Sequence, residues 1–238
     1  MDELRIANWN VEWRRPEGRD AKEIRKRLEV FDPDVVCLTE SWIEMLSDWG
    51  GYTITTRPRP PRPEGKRAVL LWSRAPWKGV GDGGTISEAR QSFLSATTDT
   101  PIGRVQFAGI IIPYHMADVA HGTRDQRMWD RHAAFLDHLP SAIAEMDGNS
   151  IVLGDFNQRI PSTWVPDKLQ RQLLSVLEKY KIATANPMPG STELAIDHIA
   201  VGNELAAEAG PILSNERTDG KELSDHFGVT AIVRRCAQ

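Results

Sequence analysis

A carboxylate and an amide stand two residues apart in Ile151-Val-Leu-Gly154-Asp155-Phe156-Asn157, directly after an apolar run. Residues i and i+2 of an extended segment point the same way, so Asp155 and Asn157 could together hold one water or one phosphate oxygen. Taken alone, Gly-Asp-x-Asn also suits a turn closed by Asx hydrogen bonds. Near the end of the chain, Ser224-Asp225-His226 sets an acid beside an imidazole just ahead of another apolar run, and Ile196-Asp197-His198-Ile199 repeats the pairing. An isolated Asp-His pair is more often structural than catalytic. An imidazole held by a buried carboxylate, however, keeps its charge and suits a developing negative charge on phosphorus. Asn10 and Glu12 follow Ile6, and Glu40 follows Val35-Val36-Cys37-Leu38, so polar groups recur where apolar runs end. In open α/β sheets ligands bind beyond strand ends, where rigid apolar runs hold such side chains over one crevice.

The elements that would hold them are short. Runs at residues 4–11, 35–38, 68–72, 105–112, 151–153, 195–201 and 227–233 have the length and β-branched content of strands. Amphipathic stretches at 21–30, 125–145 and 168–181 are long enough for helices. Strands and helices alternate, though several strands follow one another in the middle of the chain, which favours mixed sheets over a purely parallel one. The segment Arg57-Pro-Arg-Pro-Pro-Arg-Pro-Glu-Gly-Lys-Arg67 is expected as a loop, because proline removes backbone donors and fixes φ. Its cations are solvated and could touch a polyanion, or simply decorate an exposed connection.

With 238 residues, 40% hydrophobic and 26% charged, the chain has an ordinary globular composition and can bury a sizeable core. No composition break marks a boundary, so one domain over residues 1–238 is expected. A net charge of −4 implies no partner, and mild acidity does not exclude nucleic acid, since only the face that meets phosphate must be positive. The start, MDELRIANWN, lacks a signal-peptide pattern, and no run of apolar residues is long enough to span a membrane, so cytoplasmic residence is the expectation. Cys37 and Cys236 form no disulfide framework and are expected to be inert thiols.

The ordered set of motifs resembles the endonuclease/exonuclease/phosphatase family, which includes apurinic-site endonucleases, pancreatic-type deoxyribonucleases, neutral sphingomyelinases and inositol polyphosphate 5-phosphatases. Trp9-Asn10-Val11 resembles the family's first motif and Leu38-Thr39-Glu40 its Leu-Gln-Glu. Gly154-Asp155-Phe156-Asn157 is similar to its Gly-Asp-Phe-Asn, Ile196-Asp197-His198-Ile199 to its Leu-Asp-Tyr-Ile, and Ser224-Asp225-His226 to its closing Ser-Asp-His. Each motif is weak alone, but five in the family's order from Asn10 to His226 are specific. The resemblance implies a four-layer α/β sandwich, two packed mixed β-sheets flanked by helices. It implies Glu40 as a direct ligand of a divalent metal, helped by Asn10 and Asp225, with Glu12 as a ligand, a group behind the ligands, or only the start of a loop. It further implies Asp155 as base or positioner of the attacking water, Asn157 as orienter of water or phosphate, Asp197 as the holder of His226, and His226 and His115 as phosphate contacts. Oxygen donors without a Cys/His cluster suit Mg²⁺, with Mn²⁺ as a substitute, better than Zn²⁺.

The segment Pro113-Tyr114-His115-Met116 departs from the apurinic-site pattern and is closer to the Thr-His-Leu of the deoxyribonuclease and sphingomyelinase branches, while Thr39 and His198 replace a common Gln and Tyr. Arg124 could reach a phosphate, or, with Arg127 and Arg131, form a solvated helix face. Of the eight Trp residues, Trp9, Trp42 and Trp72 read as core, and Trp13, Trp49, Trp77 and Trp164 as candidate substrate contacts; His121, His132 and His138 carry no pattern. The expected function is a metal-dependent phosphodiesterase acting on nucleic acid, DNA foremost, with the basic loop and Arg14-Arg15 as backbone contacts. The alternatives are a hydrolase of a small phosphorylated molecule or phospholipid headgroup, and a non-catalytic binding module. Oligomeric state is not legible.

Overall fold

The computed structural model describes residues 2–58, 61–83, 89–119, 127–162 and 164–236. Two six-stranded sheets pack face to face. The first has the order β11-β12-β1-β2-β4-β3, formed by Leu205–Ala209, Val229–Arg235, Leu4–Asn10, Val35–Trp42, Lys66–Ser73 and Tyr52–Thr55. The second has the order β5-β6-β7-β8-β10-β9, formed by Lys78–Gly81, Phe93–Thr100, Gly103–Ile111, Ser150–Asp155, Asp197–Gly202 and Tyr180–Ile182. Each sheet is mixed: β1 and β2 are parallel, as are β7 and β8, while the other pairs are antiparallel.

Helices α1 (Arg19–Phe31), α3 (Asp130–Ala142) and α4 (Asp167–Val176) cover the outer faces, and α2 (Ala89–Ser92) is a short turn before β6. In α1, Ala21, Ile24, Leu28 and Phe31 recur at helical spacing and bury against Ala7, Trp9, Leu38 and Leu70 of the first sheet. On the other side, Phe135, Leu136, Leu169 and Leu173 pack on Ala108, Ile110 and Val152. The layers are therefore helix, sheet, sheet, helices, the expected four-layer α/β sandwich. Among the described residues no helix is long and apolar enough to cross a membrane. Cys37 and Cys236 are free, as expected.

Strand alternation decides what reaches the interior. Leu4 and Ile6 of β1, Ile151 and Leu153 of β8, Ile199 and Val201 of β10, and Val229, Ala231 and Val233 of β12 fill the space between the sheets. The same period carries Asn8 and Asn10 of β1, Asp155 of β8 and Asp197 of β10 toward the facing sheet. Asn8 joins the two sheets directly: it is fully buried, and its Nδ2 donates to the carbonyls of Gly154 (2.9 Å) and His198 (3.4 Å).

Several expectations need correction. The stretch 168–181 is not helical throughout: α4 stops at Val176 and Tyr180–Ile182 is the edge strand β9, because Tyr180 and Ile182 bury a face on the sheet. The helix expected at 125–145 is described as Asp130–Ala142. The basic Pro-rich loop ends one residue before Lys66, so Lys66 and Arg67 already pair with Trp42 and Ser41 in the sheet. Strands β3, β5, β6 and β11 escaped the reading. Phe93–Thr100 is rich in Thr, and Leu205–Ala209 reads Leu-Ala-Ala-Glu-Ala, a composition with helical propensity that sheet pairing overrides.

Gly154 is the tightest backbone contact in this scaffold. It lies at φ 140°, opposite Ile110 in the parallel β7–β8 pair, and a Cβ there would overlap the Ile110 carbonyl oxygen. Gly154→Ala is therefore expected to lower unfolding stability by roughly 3 kcal/mol, from backbone strain and overpacking together. Urea titration checks this, and an unchanged midpoint would show that β7 and β8 can separate without loss.

Candidate active site

The candidate residues arrive from both sheets at one end of the sandwich. Asn10 closes β1, Glu40 lies in β2, Asp155 closes β8, Asp197 opens β10, and Asp225-His226 lie in the segment before β12. His115 follows β7, which runs parallel to β8 and so exits at the same end. A cleft of about 900 Å³ is lined by Asn10, Glu40, His115, Asp155, Asn157, Asp225 and His226 together. Asp197 lies beneath it, 1% exposed. The structure thus gathers the catalytic and metal candidates that lie among the described residues, apart from Glu12; Arg124 lies outside those residues.

Asp155 and Asp197 are cross-strand partners in the antiparallel β8–β10 ladder, and both are buried. Two carboxylates so placed repel, and burial strips away most of the hydration that would disperse their charge. His226 supplies the compensation, its Nδ1 lying 2.5 Å from Asp197 Oδ2. Burial alone would pull the imidazolium pKa down. The charge and hydrogen bond of Asp197, then the charges of Asp155 and Asp225, outweigh it and push His226 up to about 10. Burial pushes both carboxyls upward and His226 pulls them back, with Asp155 left at about 7. Asp197 and His226 thus form a buried carboxylate–imidazole pair.

Asp155 is otherwise held by amides. Asn10 Nδ2 and Asn157 Nδ2 each donate to Asp155 Oδ2 at 3.0 Å, and the Asn157 backbone N–H donates to Oδ1 at 2.8 Å. That last contact is an Asx turn, and Asn157 sits at φ 51°, in the left-handed region. The turn reading of Gly-Asp-x-Asn and the shared-site reading therefore hold together, while the extended geometry expected for residues 155–157 does not. A second Asn157 contact, Nδ2 to the Ile112 carbonyl at 2.8 Å, ties the turn to the end of β7.

Glu40 also has a left-handed backbone, φ 50° inside β2, and half-buried surroundings. Burial first, then the charges of Asp225 and Glu12, raises its pKa against the pull of Arg62 and His226. A carboxylate raised by burial, with Asp225 and Glu12 adding to the effect, is one that a cation would relieve. Together with the Asn10 amide and exposed Asp225, it gives an oxygen-only donor set, which fits a hard divalent ion. Among the described residues, Asp155, Asp197 and His226 are the His/Asp/Glu group whose ligand atoms lie within 4.8 Å of one another. With His226 Nδ1 already bonded to Asp197 and the ring charged, that trio suits internal charge balance better than an ion.

Glu12 binds Arg14 Nη2 at 2.7 Å and accepts the Asp225 backbone N–H at 3.3 Å, so it braces the Asp225 segment from behind. Arg14 bonds to Glu12, Asp20 and the Leu223 carbonyl and does not line the cleft. Trp49 packs on Trp72 and Trp77 on Phe107, both in the fold's own aromatic pairs and not in the cleft lining. Trp42 is half-buried, whereas Trp9 and Trp72 are core as expected.

Several residues assigned no role at the site from sequence hold it in place. Trp9 Nε1 donates to the His226 carbonyl at 2.8 Å, and Ser224 Oγ to the Asn10 carbonyl at 2.7 Å. Behind the cleft runs a buried chain: His132 Nδ1 donates to the Pro113 carbonyl (2.8 Å), Gln158 Nε2 to His132 Nε2 (2.7 Å), His198 Nε2 to the Gln158 carbonyl (2.9 Å), and Thr184 Oγ1 to His198 Nδ1 (3.1 Å). Each contact fixes one neutral tautomer. Asn8 could have been flagged, as a polar residue two places from Asn10 in an apolar strand; His132 and Gln158 could not.

The family model described as the Endonuclease/Exonuclease/phosphatase family matches residues 7–226. Comparison with curated proteins returns no match. Among solved structures, an AP endonuclease from Archaeoglobus fulgidus is 15% identical with a TM-score of 0.69, the alignment covering 96% of this chain and 98% of that one. The human Nocturnin catalytic domain with bound sulfate is 15% identical with a TM-score of 0.68, covering 99% and 94%. The 3'-5' exonuclease NExo from Neisseria meningitidis is 17% identical with a TM-score of 0.67, covering 96% and 98%. At such identities the likeness to these structures is one of fold.

Burial lowers His132 and His198 from the ordinary 6.5 to about 4. Their folded pKa lies below the unfolded one, so the stability they contribute is complete above pH 6.5 and is lost as the pH falls toward 4. The stability advantage of the protein over a His198→Gln variant is therefore expected to be full at about pH 7 and to shrink toward about pH 4.5. Urea midpoints across that range measure it, and a gap independent of pH would mean that the rings are not held neutral.

Proposed function

The chain belongs to the endonuclease/exonuclease/phosphatase family, hydrolases of phosphoester bonds, and from that premise we propose a divalent-metal-dependent phosphodiesterase acting on nucleic acid, DNA foremost. The observation that carries the reading is the His226–Asp197 pair at the floor of the cleft, with Asp155 beside it and Glu40 lining the same cavity. An imidazolium locked by Asp197 is a hydrogen-bond donor with no free base on Nδ1, so it serves to neutralise phosphate oxygens. The attacking water then falls to Asp155, whose carboxylate is aimed by Asn10 and Asn157 without side-chain freedom. Asn157, pinned by Ile112, positions that water or a phosphate oxygen, and His115 contacts the phosphate from the β7 side of the cleft.

Glu40, Asn10 and Asp225 would hold Mg²⁺, with Mn²⁺ able to substitute, and Glu12 supports the Asp225 segment from outside. Bound there, the ion would polarise a phosphoryl oxygen and screen the leaving group. Arg62 lines the same cleft and would meet a phosphate of the chain. Residues 1–238 are taken as one domain, because both sheets contribute to the site.

In a panel of plasmid, single-stranded and abasic DNA, RNA, bis-p-nitrophenyl phosphate and p-nitrophenyl phosphate, turnover of the diesters is expected, with loss on chelation and recovery with Mg²⁺ or Mn²⁺. His226→Ala and Asp155→Ala are each expected to lower kcat by about 100-fold or more while the far-ultraviolet spectrum stays native. Hydrolysis of the monoester alone would sink the nuclease reading in favour of a small phosphorylated substrate. Nucleic-acid binding that survives both changes, with no turnover by the unaltered protein, would leave a binding module.

A further inference from the structure

One wall of the cleft is built of rings. Tyr114 and His115 leave β7, Trp129 precedes α3, and Trp164 precedes α4. The His115 and Trp164 centroids lie 4.5 Å apart and perpendicular, Trp129 and Trp164 lie 5.1 Å apart, and His115 and Trp129 lie 5.6 Å apart. Tyr114 adds an edge contact to His115 at 5.7 Å. This cluster is packed within itself yet open outward: Trp164 is 59% exposed and Tyr114 46%. Backbone N–H groups of Trp164 and Val165 both donate to Ser162 Oγ, at 3.3 and 3.0 Å, so the segment presenting Trp164 is braced. Tyr114, His115, Ser162 and Trp164 line the same cavity as Asp155 and His226, and exposed Arg159 joins them.

A large ring held open to solvent beside a phosphate-binding end leaves apolar π-surface uncovered that a flat partner would bury. We propose that the Trp164 wall is a stacking subsite for an unpaired nucleobase of the strand whose phosphate lies against His226, so that the protein favours single-stranded over fully paired nucleic acid. The proposal rests on the phosphodiesterase reading above and deepens it. A base inside a duplex is already stacked on both faces and must first be unstacked and unpaired, whereas an unpaired base offers its face freely. Arg159 adds a cation along the same wall for the neighbouring phosphate. Across the cleft, Arg62 rests over the Trp13 ring at 4.7 Å, with Lys66 at 4.9 Å, so the opposite rim is cationic. A strand entering between them would meet charge on one side and rings on the other, the combination that binds single strands without reading their sequence.

The test compares KM for a single-stranded oligonucleotide, its blunt duplex, and the same strand lacking the base beside the cleaved phosphate. Trp164→Ala, at an exposed position, is expected to raise KM for the intact single strand about tenfold, with little change for the base-less strand, and Trp164→Phe to retain most of the affinity. An unchanged single-strand KM, or an equal rise on the base-less strand or the duplex, would overturn the subsite while leaving the hydrolase reading intact. Binding is read separately, as quenching of tryptophan fluorescence by the single strand. Quenching that Trp164→Phe removes supports the subsite whatever the protein hydrolyses, and equal quenching in both proteins overturns it.

Discussion

Two buried carboxylates facing each other across a β-ladder, Asp155 and Asp197, set the terms for this end of the molecule. Left alone, they would drive protonation or open the sheet, since like charges in a dry environment cannot both persist. The structure answers with one imidazole from the far end of the chain, locked to Asp197, and with amide donors on Asp155 from Asn10 and Asn157. Every part of the arrangement requires another. The carboxylates around His226 raise its pKa against the effect of burial, and His226 in turn pulls theirs down. The same interdependence makes the group chemically useful, because a fixed cation and an aimed carboxylate face one cleft without reorganising when charge develops on phosphorus.

Strand β1 is the member through which this demand reaches the whole fold. Its inward side chains Leu4 and Ile6 belong to the central core, and the next two at the same period, Asn8 and Asn10, hold the opposite sheet by hydrogen bonds. Its outward side chain Trp9 packs beneath α1 and also fixes the His226 carbonyl. One seven-residue strand thus sets the distance between the sheets and the position of the imidazole. Strain collects at the same end. Glu12, Trp13, Glu40 and Asn157 all adopt positive φ, a conformation that costs non-glycine residues energy and that the surrounding packing must hold in place. Glu40 sits so within a strand whose flanking residues keep regular pairing with β4, which shows how firmly the sheet overrides the local preference.

A second polar system, less visible from the surface, lies one residue behind the first. Gln158 follows Asn157, His198 follows Asp197, and His132 reaches Pro113, two residues before His115. The two neutral rings and the Gln158 amide nitrogen bond to one another and to backbone while buried, with Gln158 Oε1 left without a partner, and the chain ties together the supports of His115, Asn157 and Asp197 without adding charge near them.

The sequence by itself determined the motif residues and the kind of element that carries each: apolar runs ending in Asn10, Glu40 and Asp155 are strands whose polar ends lie at a crevice, and alternation alone sends Asn10 and Asp155 to the same interior. Strand period and the solvation cost of charge are local rules, and they are legible wherever a run is strongly apolar. It left β6 and β11 unread, because Thr-rich and Ala-rich segments become strands only when neighbours pair with them. The resemblance named His226 as the imidazole that Asp197 holds, and the tertiary structure supplies the physical reason. The adjacent His198 points to the opposite face of β10, toward Gln158 and Thr184, as alternation requires, and His226, 29 residues away, takes the place. Tertiary structure alone decided that Arg14 and Glu12 brace the site and that Trp164 opens onto it while Trp49 and Trp77 do not. Those outcomes depend on which surfaces meet across the sandwich, a distance in space that no spacing along the chain records.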